Sequence, residues 1–177
     1  MIILAEDQEQ QNLVRHYLKR CGHRNFRVVP PAAKGPGGSG EKYVRDQYAI
    51  QVRACRSSLG KRASAMLIVI VDADMQTTQA RYRQLEKAIQ AAGGRPRQAD
   101  EPIVVLIPKR HVETWIRALL GHSTDETTDY SAPAPTATEI KQAAANLQAW
   151  MRGQSGDPRD DFPPSLIASR DEWKRIP

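Results

Sequence analysis

Two uninterrupted apolar runs set the limits on this fold. Met66-Leu67-Ile68-Val69-Ile70-Val71 and Ile103-Val104-Val105-Leu106-Ile107 carry no polar position and are rich in β-branched residues. Such side chains suit a pleated surface. A strand with one wet face alternates apolar and polar residues, so a run that is apolar throughout reads as a strand covered on both faces, as in the parallel sheets of α/β proteins. The first run stops at Asp72-Ala73-Asp74 and the second at Pro108. A shorter run over Ile2–Ala5 ends at Glu6, and Phe26–Val29 reads as a further short strand closed by Pro30-Pro31.

The segments between these runs have helical periodicity. Leu13, Val14, Tyr17 and Leu18 predict a helix over 8–20, with Gly22 as its stop. Tyr43, Val44, Tyr48 and Val52 lie on one side of a long helix that begins near Glu41, with Ser39 or Gly40 as its cap. Tyr82, Leu85 and Ile89 mark a helix ending near Gly93-Gly94, and Val112, Trp115, Ile116, Leu119 and Leu120 mark one over 111–120. Ile140, Ala144, Leu147 and Met151 mark another. Strand and helix alternate, which predicts an α/β fold with a mainly parallel sheet and helices on both faces. A chain of 177 residues suits one core. The expected division is one domain over 1–152 and a polar C-terminal tail over 153–177, with a short helix around Trp173.

The formal net charge of +6 favours polyanionic partners. The arginines are scattered, Arg15, Arg20, Arg45, Arg53 and Arg81 among them, so a solvated surface and a nucleic-acid track both stay open. No apolar run approaches the roughly 20 residues that cross a bilayer. Met1 leads straight into Ile2-Ile3-Leu4 with no basic leader, and Cys21 and Cys55 lack metal-site spacing. The expectation is a cytoplasmic protein with reduced thiols and no membrane contact.

In open parallel sheets, ligands sit outside the carboxyl ends of the strands. Here those ends carry Glu6, then Asp72 and Asp74, then Lys109, Arg110 and, a turn later, Glu113. Carboxylates crowded in a dry crevice repel and raise one another's pKa. A hard cation relieves that repulsion, and Mg²⁺ or Mn²⁺ takes such oxygen ligands while keeping waters that a phosphate can displace. Residues i and i+2 of an extended chain share a side, so Asp72 and Asp74 can aim at one point. A nearby Lys or Arg can then steady a phosphoryl group. Plainer readings stand beside this one. An Asp-x-Asp after a strand can be a turn and helix cap, Glu6 can cap the first helix, and Glu113 can be a surface charge.

Other candidates carry less. The Gly-rich segment 35–40 lacks the Gly-Lys-Ser/Thr ending of a phosphate-binding loop and reads as a flexible or substrate-covering loop. His16, His23, His111 and His122 have no zinc spacing, and His111 reads as a residue behind the ligands or on the surface.

Leu4-Ala5-Glu6 followed by Val69-Ile70-Val71-Asp72-Ala73-Asp74 resembles the Toprim domain. This is the metal-binding, Rossmann-like fold of topoisomerases, primases and the OLD (overcoming-lysogenization-defect) nucleases. Ile107-Pro108-Lys109-Arg110-His111-Val112-Glu113-Thr114-Trp115 also resembles small bacterial Toprim-like proteins. The resemblance covers roughly residues 1–120. It implies Mg²⁺- or Mn²⁺-dependent phosphodiester chemistry on nucleic acid, DNA ahead of RNA. Glu6 would serve as metal ligand or general acid/base, with Asp72 and Asp74 as metal ligands. Lys109 would steady the scissile phosphate, and Glu9, Glu113 and Arg110 would stand behind the ligands or at a second metal. Two departures are visible: Asp7 stands where the family has Gly, and Gln10 stands where nucleases of the class often have an acid, with Glu9 one place short. By analogy with nuclease partners of ATPases in bacterial antiviral defence, the resemblance also implies an ABC- or AAA-type ATPase partner. The alternative function is a non-catalytic module that binds nucleic acid or a protein through its basic surface.

Overall fold

The computed structural model describes residues 1–30, 40–59, 65–154 and 162–177. The Gly-rich segment up to Ser39 and the tail residues 155–161 lie outside the described residues. The predicted alternation is present: β1 (Ile2–Ala5), α1 (Gln8–Arg20), β2 (Arg27–Val28), α2 (Gly40–Leu59), β3 (Leu67–Ile70), α3 (Thr78–Ala91), β4 (Ile103–Leu106), α4 (Val112–Leu119) and α5 (Ala137–Met151). Two short helices follow, α6 (Pro164–Ala168) and α7 (Arg170–Lys174).

The strands form one parallel sheet in the order β2-β1-β3-β4. Burial on both faces explains why β3 and β4 are apolar throughout. Ile3, Ala5, Ile68, Ile70, Val104 and Leu106 face one way and pack under α1, α4 and α5. Leu4, Leu67, Val69, Ile103 and Val105 face the other way and pack under α2 and α3. Alternation still operates, but it distributes residues between two cores rather than between core and water.

β2 is shorter than Phe26–Val29. Val29 still donates to Ile3 O at 2.8 Å, but Pro30 has no N–H with which to extend the ladder.

The direction of strand addition reverses at the middle of the parallel sheet. β1 leads to β2 on one side, and β3 leads to β4 on the other. The carboxyl ends of β1 and β3 therefore flank a switch point, where the connecting segments diverge and leave a crevice. Glu6 follows β1 and Asp72 lies just past β3.

The C-terminal residues depart from the expected polar tail. Leu166 and Trp173 are fully buried, and Phe162 and Ile176 join them in the core under α1 and α5. The Trp173 ring lies 4.7 Å from that of Tyr17. Glu172 accepts from the outward-facing Val105 N at 2.9 Å, and Ser165 Oγ accepts from Lys109 N at 3.1 Å. The segment thus covers the free edge of β4, whose unpaired backbone groups would otherwise face solvent or another chain. Its apolar residues are dispersed among charged ones, so composition conceals this role. No helix among the described residues is long and apolar enough to cross a membrane.

Candidate metal centre

Local interactions fix the β1 exit. Asp7 caps α1, its carboxylate accepting from Gln10 N at 2.8 Å. The Gln10 side chain reaches back to accept from Glu6 N at 3.0 Å. This reciprocal cap leaves the Glu6 side chain free to turn across the switch point, where its Oε2 accepts from Asp72 N at 3.2 Å. Two strand ends that are 66 residues apart in sequence are thereby joined through one carboxylate. The first residue of α2 presses on the same side chain. A Cβ at Gly40 would lie 2.5 Å from Glu6 Cγ and 2.9 Å from Glu6 O, so only glycine fits there.

The β3 exit separates its two aspartates. Asp72 is buried at 4 % exposure, and its Oδ1 has no hydrogen-bond partner among the described residues. Its Oδ2 lies 3.7 Å from His111 Nδ1. At Asp74 the backbone turns left-handed, with φ 52°, so the chain is not extended there and the i, i+2 argument for a shared aim does not apply. Asp74 Oδ2 instead takes a 2.8 Å hydrogen bond from Arg81. Arg81, 3 % exposed at its side chain, also donates to Asp72 O at 2.8 Å and pairs with Glu41 at 2.6 Å. One buried guanidinium thus holds the start of α2, the start of α3 and the β3 exit together, in the forked geometry that suits arginine.

The β4 exit supplies the remaining groups. His111 is the N-cap residue of α4 but makes no capping hydrogen bond with its side chain, so the imidazole is available to Asp72. Glu113, in the first turn, is buried at 9 % exposure. One donor atom each from Asp72, His111 and Glu113 can be chosen so that all three lie within 4.8 Å of one another. Lys109 and Arg110 lean over the loop after β3. Lys109 Nζ donates to Gln76 O at 2.6 Å, and Arg110 contacts the Met75 sulfur. Both rim the crevice rather than enter the carboxylate cluster. Glu9 lies in the first turn of α1, near enough for its charge to act on both Asp7 and Glu113.

The electrostatics follow from burial. Desolvation is the largest influence on Glu6 and, with the nearby Asp74 and Asp7 charges, pushes its carboxyl up to about 7 against the opposing Asp72 N–H bond. Asp72 is raised well above the ordinary carboxylate range by burial, opposed by the neighbouring His111, with the Glu6, Asp7 and Glu113 charges adding to the raise. Asp7 and Glu113 are raised chiefly by burial. The Asp72 carboxylate beside His111 holds that imidazole up. The cluster is an arrangement of acids whose ionised forms are all disfavoured at once.

No protein-family model, curated protein or solved structure gives a significant match to this chain. Its function must therefore be argued from the site. Of the residues singled out in the sequence, Asp72 and Glu113 come together with His111, Glu6 is tied to the Asp72 backbone N–H, Asp74 is engaged by Arg81, and Lys109 and Arg110 stand at the rim. Sequence reasoning undervalued His111 and, though it noted Arg81, Asp7 and Gly40, gave none of them a part in the site. Arg81 left a trace: a basic residue near the start of a helix opposes the helix dipole, which signals a local acidic partner.

Proposed function

We propose that this protein is a divalent-metal-dependent phosphodiesterase acting on nucleic acid, DNA ahead of RNA. One observation carries the reading: the buried, unpartnered Asp72 Oδ1 sits among the raised carboxyls of Glu6 and Glu113 at the switch point of a parallel sheet. Ionising such an oxygen without a partner is costly, and a bound cation would satisfy it and relieve the neighbouring acids. The donor set fits Mg²⁺ or Mn²⁺, with Asp72 and Glu113 as holders and Glu6 alongside. When bound, such an ion neutralises these acids and withdraws charge from a phosphodiester.

The remaining roles belong to the chain. Glu6, joined to the Asp72 N–H at the mouth of the crevice, is the carboxyl placed to act as a general acid or base at the phosphodiester oxygens. Lys109 and Arg110 at the rim, within a chain of net charge +6, attract the phosphate backbone. Arg81 contacts no substrate in this scheme. It fixes Asp72 through the backbone carbonyl and occupies Asp74 and Glu41.

The test is conversion of supercoiled plasmid to nicked or linear DNA. Cleavage should require Mn²⁺ or Mg²⁺, stop with chelator and vanish in Asp72→Asn. Salt-sensitive DNA binding that survives both chelation and Asp72→Asn, with no cleavage under any condition, would establish the non-catalytic binding module instead.

A further inference from the structure

We infer that His111 is itself a metal ligand, supported from behind by Asp129, and that the centre therefore favours Mn²⁺ over Mg²⁺. This deepens the metal reading above and rests on it. The first observation is a distance. His111 Nδ1 and Asp72 Oδ2 are 3.7 Å apart, too far for a hydrogen bond. Two donors each about 2 Å from one shared ion lie roughly 3–4 Å apart, so the spacing, loose for an ion pair, also suits two ligands of one ion. The second observation is independent of the histidine: Asp72 Oδ1, on a side chain more than nine-tenths buried, has no hydrogen-bond partner among the described residues.

The third observation lies on the other side of the ring. His111 Nε2 is 3.7 Å from Asp129 Oδ1, likewise beyond hydrogen-bond range, but close enough to set the carboxylate charge beside that nitrogen, and Asp129 is itself oriented by Ser131 N at 2.9 Å. A ligating histidine commonly gives its second ring N–H to a carboxylate, which fixes the tautomer and leaves the other nitrogen's lone pair for the ion. Asp72, His111 and Asp129 stand in that order. An imidazole among carboxylates suits a first-row transition ion, whereas Mg²⁺ prefers oxygen alone. The 121–136 connection then has a stated task, which is to deliver Asp129 behind the ligand.

Electron paramagnetic resonance of Mn²⁺ added to the full chain separates the possibilities without any activity assay. Affinity comes from titration, and hyperfine coupling to a directly bound nitrogen identifies imidazole. The wild type should show that coupling and bind Mn²⁺ more tightly than Mg²⁺ in competition. Asp129→Asn should keep the coupling but bind about 10–100-fold more weakly. His111→Ala should lose the coupling and the Mn²⁺ preference together. His111→Gln, which keeps a polar side chain at the N-cap, should behave like His111→Ala in both respects and covers the case where the alanine variant fails to fold.

Mn²⁺ bound by the wild type without nitrogen coupling, or bound equally well by His111→Gln, overturns this inference and leaves the phosphodiesterase reading standing. Nitrogen-coordinated Mn²⁺ in a protein that never cleaves DNA does the reverse. A wild type that binds neither ion sinks both.

Discussion

Replacing Glu6 by Gln should make the metal-free protein more stable at alkaline pH. The Glu6 carboxyl is raised from 4.5 to about 7, chiefly by burial. Between those values the folded chain holds a proton that the unfolded chain has released, so stability falls as pH rises through this window. Below about 4.5 the carboxyl is protonated in both states and contributes no difference. Above about 7 it is ionised in both, and the folded state carries the full penalty. At ~1.4 kcal/mol per tenfold change, that penalty reaches about 3 kcal/mol. Gln keeps an oxygen to accept from Asp72 N and removes the charge. It also removes one of the charges that raise Asp72, an effect of the same sign.

The assay is urea denaturation of both proteins from pH 5 to 8.5, with EDTA or with Mn²⁺. In EDTA the variant should be close to wild type at pH 5 and gain up to about 3 kcal/mol by pH 8. In Mn²⁺ the gap should narrow, because both proteins gain linkage stabilisation, about 2.7 kcal/mol at a hundredfold excess over Kd, and the ion also relieves the Glu6 charge penalty in the wild type. A Glu6→Gln variant that is less stable than wild type at pH 8 in EDTA would refute the reasoning. Glu6 would then be a structural brace between β1 and β3, not an acid held at a cost for a ligand.

Two further outcomes follow from the packing. Gly40→Ala places a Cβ 2.5 Å from Glu6 Cγ, so it should cost about 1–3 kcal/mol by overpacking and flatten the pH dependence assigned to Glu6, both readable in the same urea series. Trp173→Ala should lower stability by about 3–5 kcal/mol, as for a buried tryptophan in any core. A change within about 0.5 kcal/mol, the usual effect of a surface site, would show the C-terminal segment to be peripheral.

How much of this was legible in the sequence depends on the range of the forces involved. β3 and β4 could be read because burial on both faces leaves an apolar signature at every position from Leu67 to Ile70 and from Ile103 to Leu106. α1 was placed over 8–20 because its periodicity and its Gly22 stop are local. The C-terminal segment was misjudged because its apolar residues, from Leu166 to Trp173 and Ile176, acquire a core only from distant residues such as Tyr17. The site divides in the same way. Strand ends placed Glu6 and Asp72 together, since topology alone decides that. Whether Asp74 joins them depended on a single left-handed residue and on Arg81, a helix later, neither of which a strand-end motif encodes.

Arg81 explains why the acidic cluster is divided rather than merely crowded. Glu6, Asp7, Glu41, Asp72, Asp74 and Glu113 gather at one sheet edge, and a fold that left all of them uncompensated would pay repulsion and desolvation together. The guanidinium takes Asp74 and Glu41 directly, but it meets Asp72 only through the backbone carbonyl. Were it paired with the Asp72 carboxylate, Oδ1 would be satisfied within the chain. The guanidinium thus neutralises the outer acids and leaves the inner ones, Asp72 foremost, to burial and to the neighbouring His111. That division is what the proposed metal site requires, because an Arg81 turned toward Asp72 would occupy the oxygen that a cation would take.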